Sequence, residues 1–205
     1  MNRDRPFAAL LAEPGVVEMV ELRSRFGFMA FHGGGLEAVT DVIAVAAAEA
    51  SGASLYAVIQ PDGMQHHLPS VQVSPAESPA LAQFLEHVDV VVTVHGYGRA
   101  GFWHKLLLGG GNRALATHVG NCLRAALPAY DIVTDLDEIP VSLRGLNPAN
   151  PVNRPRSGGV QIELPPRVRG ATPLWADWEG EGLNPHTQAL VDGLAAAALT
   201  APSPS

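Results

Sequence analysis

The sequence has one cysteine in 205 residues and very little lysine. A single cysteine excludes a disulfide within the chain and a cysteine-built zinc knot. Any metal must therefore be held by His, Asp and Glu. Cys122 lies in ALATHVGNCLRAAL, which has helical spacing, and reads as a small apolar residue. Lys105 is the lone lysine beside twelve arginines, and 20 acidic residues bring the net charge to −7. That balance lacks the basic surface of a nucleic-acid binder. No apolar run approaches the roughly 18 residues that span a bilayer. The N-terminal segment AALLA is shorter than the ~7–15 apolar residues of a secretory leader. These absences predict a cytoplasmic protein, with release by lysis as the route out, and neither nucleic acid nor membrane as partner.

What is present suffices for a core: 47% of residues are hydrophobic. One domain over 1–200, a disordered tail over 201–205 and a monomer are expected. Two apolar runs within residues 15–31, GVVEMVEL and FGFMAF, read as adjacent strands split by RSR. Helical spacing begins at Glu37, with Val39, Val42, Ile43, Ala46, Ala47 and Ala50 on one face, and Ser51-Gly52 ends it. LYAVI (55–59) and DVVVTV (89–94) read as strands, and HHLPSVQV (66–73) as extended chain around Pro69. A helix begins near Ser78 with Pro79 in first position, and another follows GGGNR and ends at Pro128. Residues 145–158 form a proline-rich loop, GVQIEL (159–164) a strand, and NPHTQALVDGLAAAAL a last helix. The alternation predicts a single-domain α/β fold: a mostly parallel or mixed twisted sheet with helices on both faces. Ligands in such sheets bind outside the carboxyl ends of the strands.

Two of the strand-like runs end in a histidine followed at once by glycine, FMAF-His32 and VVTV-His95. Catalytic zinc takes three protein ligands and keeps one position open, and two His with one Glu is a known set. His32 and His95 at the tips of neighbouring strands, with Glu37 in the first turn of the next helix, are candidates for that set. The glycines after His32 would let the backbone turn sharply and approach ligand and substrate. A plain strand–helix turn with a surface histidine is the competing reading of HGGG. In GVQIEL, period two puts Val160, Ile162 and Leu164 on one side and Gln161 and Glu163 on the other. A carboxylate in a buried strand is costly unless paired or functional. Glu163 is thus a candidate general base, with a salt bridge to Arg167 or Arg169 as the competing reading. Arg144, Arg154, Arg156, Arg167 and Arg169 cluster in one stretch and suit carboxylates, or else are solvated surface groups. Tyr97, just after His95-Gly96, is placed to reach the cleft. His66, His87, His104, His118 and His186 read as surface or helix residues.

Taken together, HGGGLE, then VHGYG, then a GG-containing loop before a helix, then NPVNR and GVQIEL with a following arginine, resemble the poly-γ-glutamate hydrolase family. HHLPS at 66–70 is similar to a His-containing stretch of that family. The resemblance runs from about residue 28 to 170. The family includes phage-encoded depolymerases of bacterial capsules and is similar in fold to the zinc carboxypeptidases. It implies one Zn²⁺ per chain on His32, Glu37 and His95, with Glu163 as general base. It implies endo-type cleavage of γ-glutamyl amides in an anionic, peptide-like substrate that carries carboxylates. Asn153-Arg154 looks suited to gripping a substrate carboxylate, as an Asn-Arg pair does in zinc carboxypeptidases at another place in the chain order. Asn112-Arg113 is a second candidate, and His67 stands at the family's histidine position, for a substrate contact or a bond to a ligand. Residues 171–205 align with no family motif, and the RPRSG part of the loop is unusually basic. Two further readings stay open: a zinc carboxypeptidase or deacylase of small amides, and a non-catalytic binding or phage structural module for an acidic partner.

Overall fold

A computed structural model of the chain describes residues 5–171 and 178–202; residues 203–205 of the expected tail lie outside them. The helices are α1 (Pro6–Leu11), α2 (Thr40–Ser51), α3 (Pro79–His87), α4 (Arg113–Ala126), α5 (Pro166–Arg169) and α6 (Pro185–Leu199). The strands are β1 (Val17–Glu21), β2 (Phe26–Gly34), β3 (Ser54–Gln60), β4 (Val90–Gly96), β5 (Lys105–Leu108), β6 (Asp131–Val133) and β7 (Gly159–Leu164). They form one seven-stranded sheet in the order β1-β3-β2-β4-β7-β5-β6. Its centre, β3-β2-β4-β7, is parallel. β1 runs antiparallel along β3, and β5, itself parallel to β6, runs antiparallel to β7. The sheet is therefore mixed, as expected, and helices cover both faces.

Period-two alternation explains the two cores. Phe28, Ala30, Val92, Val94, Val160, Ile162 and Leu164 face the layer of α2, α4 and α6. Met29, Phe31, Tyr56 and Val58 face Phe7 and Leu10 of α1 and Leu81 and Phe84 of α3. Ser78 caps α3 by accepting from Leu81 N–H, and Asn112 caps α4 by accepting from Leu115 N–H. No described helix is long and apolar enough to cross a membrane.

The structure departs from the sequence expectations in four places. The stretch 66–73, expected to be extended, holds a 3-10 turn at Ser70–Gln72 after Pro69, which fixes only its own φ and does not bar a turn after it. β1 and β2 are not neighbours, because β3 lies between them. A parallel β2–α2–β3 unit fills that position, and β1, exposed at both ends, takes the outer edge of β3. α2 begins at Thr40 rather than Glu37, after Val39 in a left-handed conformation (φ 75°). Its buried face is Thr40, Asp41, Ile43, Ala44, Ala47 and Ala48, while Val42 is exposed. A helix so rich in alanine has an apolar stripe too wide for spacing to fix its angle. β5 and β6 carry no strand signal in the sequence, because four and three residues are too few to show alternation.

The chain leaves β2 through α2 to reach β3 on one side, then returns through α3 to β4 on the other. The crossovers diverge between β2 and β4, which opens a crevice at the carboxyl ends of these strands.

Candidate active site

His32 and His95 sit beside that crevice near the ends of β2 and β4, both buried. Glu37 reaches them from the turn between β2 and α2, where its N–H donates to the His32 carbonyl at 2.9 Å. It is a loop residue rather than part of the helix. The glycines before it serve the fold. Gly34 has φ +69°, and a Cβ there would lie 2.1 Å from the Gln60 carbonyl. A Cβ on Gly33 would strike Asp41, whose Oδ1 accepts from Gly34 N–H at 3.0 Å. The clearance expected for a ligand is taken up by the protein's own β3 and α2.

The three side chains converge. One ligand atom from each of His32, Glu37 and His95 lies within 4.8 Å of the others. His32 Nε2 is 2.9 Å from the Leu68 carbonyl, which only accepts, so Nε2 carries the proton. In the neutral ring, His32 Nδ1 then turns a lone pair toward Glu37 Oε1 at 2.8 Å. Two acceptors at that distance require a proton or a cation between them. His95 likewise turns Nδ1 to Glu37 Oε2 at 3.2 Å, and its Nε2 is buried without a partner among the described residues. Gly96 N–H donates to Glu37 Oε2 at 2.8 Å and fixes the carboxylate. Burial alone would raise the Glu37 pKa, but His95 and the bonds to both rings outweigh it and hold the carboxyl well below its ordinary range. Burial disfavours the His95 imidazolium, and Glu37, then Glu163, more than compensate, so its pKa is raised. Two imidazole nitrogens and a carboxylate oxygen in this disposition fit zinc in their chemistry: all are borderline or hard donors of the catalytic type, with no thiolate.

Glu163 pairs in register with His95 across β7 and β4. It is 5% exposed, and burial pushes its carboxyl up to about 7 against the opposing pull of His95. Its hydrogen-bond partner is Gln161, whose Nε2 donates to Oε1 at 2.8 Å. Neither Arg167 nor Arg169 bonds to it. The buried Arg169 donates to the Leu164 and Ala38 carbonyls, with its guanidinium against Gly96. From there it acts on Glu37 and Glu163 through space.

His32, Glu37, His95 and Glu163 share one cavity of about 520 Å³. His67 is on its wall, exposed, with its ring centroid 5.2 Å from that of His32. Tyr97 also lines it, but its hydroxyl donates to the Phe102 and Lys105 carbonyls and so ties down the following loop. The Asn-Arg candidates are elsewhere. Asn153 braces the 145–153 loop, accepting from Gly111 N–H and donating to the Gly145 and Asn147 carbonyls, while Arg154 is exposed and outside the cavity lining. Asn112 is spent on its cap. Arg113 donates to the Leu108, Gly110 and Thr134 carbonyls, away from the cavity. Among the described residues, Arg144 is the only Arg or Lys that lines the cavity. Its membership of the arginine-rich stretch was visible in the sequence, but nothing there set it apart. Asn150 and Gln161 also line the cavity, Gln161 on the Glu163 side of its strand and Asn150 with no sequence motif to mark it.

The family model described as poly-gamma-glutamate hydrolase matches residues 11–192. Among solved structures, a bacteriophage poly-gamma-glutamate hydrolase is 23% identical with a TM-score of 0.68, over 92% of this chain and 91% of that one. Zinc-free YNDL is 18% identical with a TM-score of 0.75, over 92% of each chain. A metallo-carboxypeptidase from Burkholderia cenocepacia is 11% identical with a TM-score of 0.50, over 94% of this chain and 66% of that one. At these identities the structural likeness is one of fold. No curated protein sequence matches the chain.

Proposed function

The chain belongs to the poly-gamma-glutamate hydrolase family and is a hydrolytic enzyme, and from that premise we propose that it cleaves γ-glutamyl amide bonds with the help of one zinc ion. The observation that carries this is the meeting of one ligand atom each from His32, Glu37 and His95 within 4.8 Å of one another, in the same cavity as a buried carboxyl. His32, Glu37 and His95 would hold the ion. Zinc on such a set acts as a Lewis acid and brings the pKa of water from 15.7 toward about 7.

Glu163 accepts a proton from the attacking water and delivers it to the amide nitrogen as the C–N bond breaks. The products are a carboxylate and an amine. Burial raises the Glu163 pKa toward neutrality, where a base and its conjugate acid both work. Arg144, a cationic residue of the cavity lining, orients an α-carboxylate of the anionic chain. This reassigns the role expected of Arg154 and Arg113. His67 and Tyr97 shape the wall on which the substrate lies.

Chromatography of poly-γ-glutamate digests tests the reading. Zinc-loaded protein should release oligomers, and Glu163→Gln should retain the metal and lose about 10²–10⁴-fold in turnover. Release of single terminal glutamates alone would favour the carboxypeptidase reading. An undigested polymer with stoichiometric zinc would refute γ-glutamyl hydrolysis.

A further inference from the structure

We infer that Asn150 and Gln161 form a positioning relay that fixes the orientation of Glu163 and couples it to the 145–150 loop of the cavity wall; this rests on Glu163 being the base. The relay is directional. Val152 N–H donates to Asn150 Oδ1 at 3.2 Å, which settles which end of the Asn150 amide is oxygen. Asn150 Nδ2 must then donate outward, and it meets Gln161 Oε1 at 2.8 Å. That in turn orients the Gln161 amide so that Nε2 donates to Glu163 Oε1 at 2.8 Å. Each group in the series has a single arrangement that satisfies it, and a flip of either amide would set oxygen against oxygen. The three side chains are 3%, 5% and 5% exposed, so water does not readily replace a broken link.

The relay also has a fixed place in the fold. Gln161 and Glu163 project from the same side of β7 into the cavity, two residues apart. Asn150 begins the 3-10 turn Pro151–Asn153 and belongs to the loop whose Gly145, Leu146 and Asn147 also line the cavity. Gly145, at φ +63°, passes so close that a Cβ would lie 2.6 Å from Gln161 Oε1. The loop therefore presses on the middle of the relay. With Oε1 occupied by Gln161, Oε2 is the oxygen left for proton transfer. Neither Asn150 nor Gln161 needs to touch the scissile bond; both act through Glu163.

Two variants test this on the full-length, zinc-loaded protein. Gln161→Met keeps the side-chain length and removes the donor. Asn150→Asp keeps the acceptor for Val152 N–H and removes the donor to Gln161, which turns the Gln161 amide over so that its oxygen faces Glu163. Each should lower kcat about 10- to 100-fold, the worth of one hydrogen bond to a charged group. KM should stay within about twofold and zinc stoichiometry should be unchanged. Combined with Glu163→Gln, neither should cause a further loss, because a residue that acts through another adds nothing once that residue is disabled. Additive losses, a raised KM with unchanged kcat, or failure of both variants to fold would assign a structural role only and overturn the relay. NMR of the Gln161 side-chain amide keeps the relay separable from the function. Its proton should move upfield in Glu163→Ala even if the protein proves inactive on γ-glutamyl substrates, and an unmoved resonance would show that the bond is absent.

Discussion

Replacing Arg144 by methionine should weaken substrate binding and leave the chemical step alone. The Arg144 side chain is 26% exposed, and its nearest carboxylate, Asp137, stands 3.9 Å away and 95% exposed. An ion pair of that length at the surface contributes almost nothing to stability. The bond from Nε to the Ile139 carbonyl at 2.9 Å is what the fold would lose, and as a partly exposed bond from a charged group it is worth about 1.5–2 kcal/mol. The fork of the guanidinium is then available to a ligand. A hydrogen bond from a charged group contributes about 1.5–3 kcal/mol, and partial exposure keeps this one to the lower half of that range. The expected effect is thus a rise of about 10- to 30-fold in KM for poly-γ-glutamate, with kcat within about twofold. Steady-state kinetics on the polymer and on its α-amidated, uncharged analogue measure it. The variant should lose the preference for the carboxylate form and be unchanged on the neutral one. Equal KM values for wild type and variant on the polymer would refute the assignment of Arg144.

Gly96→Ala should lower both stability and activity. The added Cβ would meet the Arg169 guanidinium at 2.7 Å, and displacing it strands the Ala38 carbonyl, leaves the Leu164 carbonyl with the Tyr97 N–H alone and removes a positive charge from beside Glu37 and Glu163. Denaturant unfolding should report a loss of about 1–3 kcal/mol, and a neutral result would mean that Arg169 moves aside without cost. Asn112→Ala should cost about 1–3 kcal/mol through the lost cap on α4 and the lost bond from its Nδ2 to the Ser157 carbonyl, while leaving kcat and KM unaltered. A selective rise in KM there would restore Asn112-Arg113 as a substrate contact.

The strand-end histidines and the mid-strand carboxylate were legible because their chemistry conflicts with their setting. Polar residues closing or interrupting long apolar runs, as in FMAF-His32, VVTV-His95 and GVQIEL, announce either a cost or a use. Burial of Gln161 and Glu163 opposite Val160 and Ile162 follows from the same alternation. Glu37 was legible as a residue but not as a loop residue, since the left-handed turn at Val39 leaves no trace in hydrophobic spacing. The substrate-side residues were illegible for a different reason. Arg144 and Asn150 lie in irregular chain and Asn153 closes a three-residue 3-10 turn, and in both settings no period links position to direction. One of them faces the cavity, one feeds the relay and one braces the loop only because of contacts far away in sequence.

Metal analysis of the purified protein, beside its His32→Ala variant, tests the central claim most directly. The convergence of His32, Glu37 and His95 predicts one zinc per chain in the wild type, removable by chelation, with a fall in Tm on removal that zinc reverses. It predicts zinc well below stoichiometry in the variant. Full occupancy in His32→Ala, or a wild-type protein that takes up no zinc and hydrolyses its substrate regardless, would contradict it.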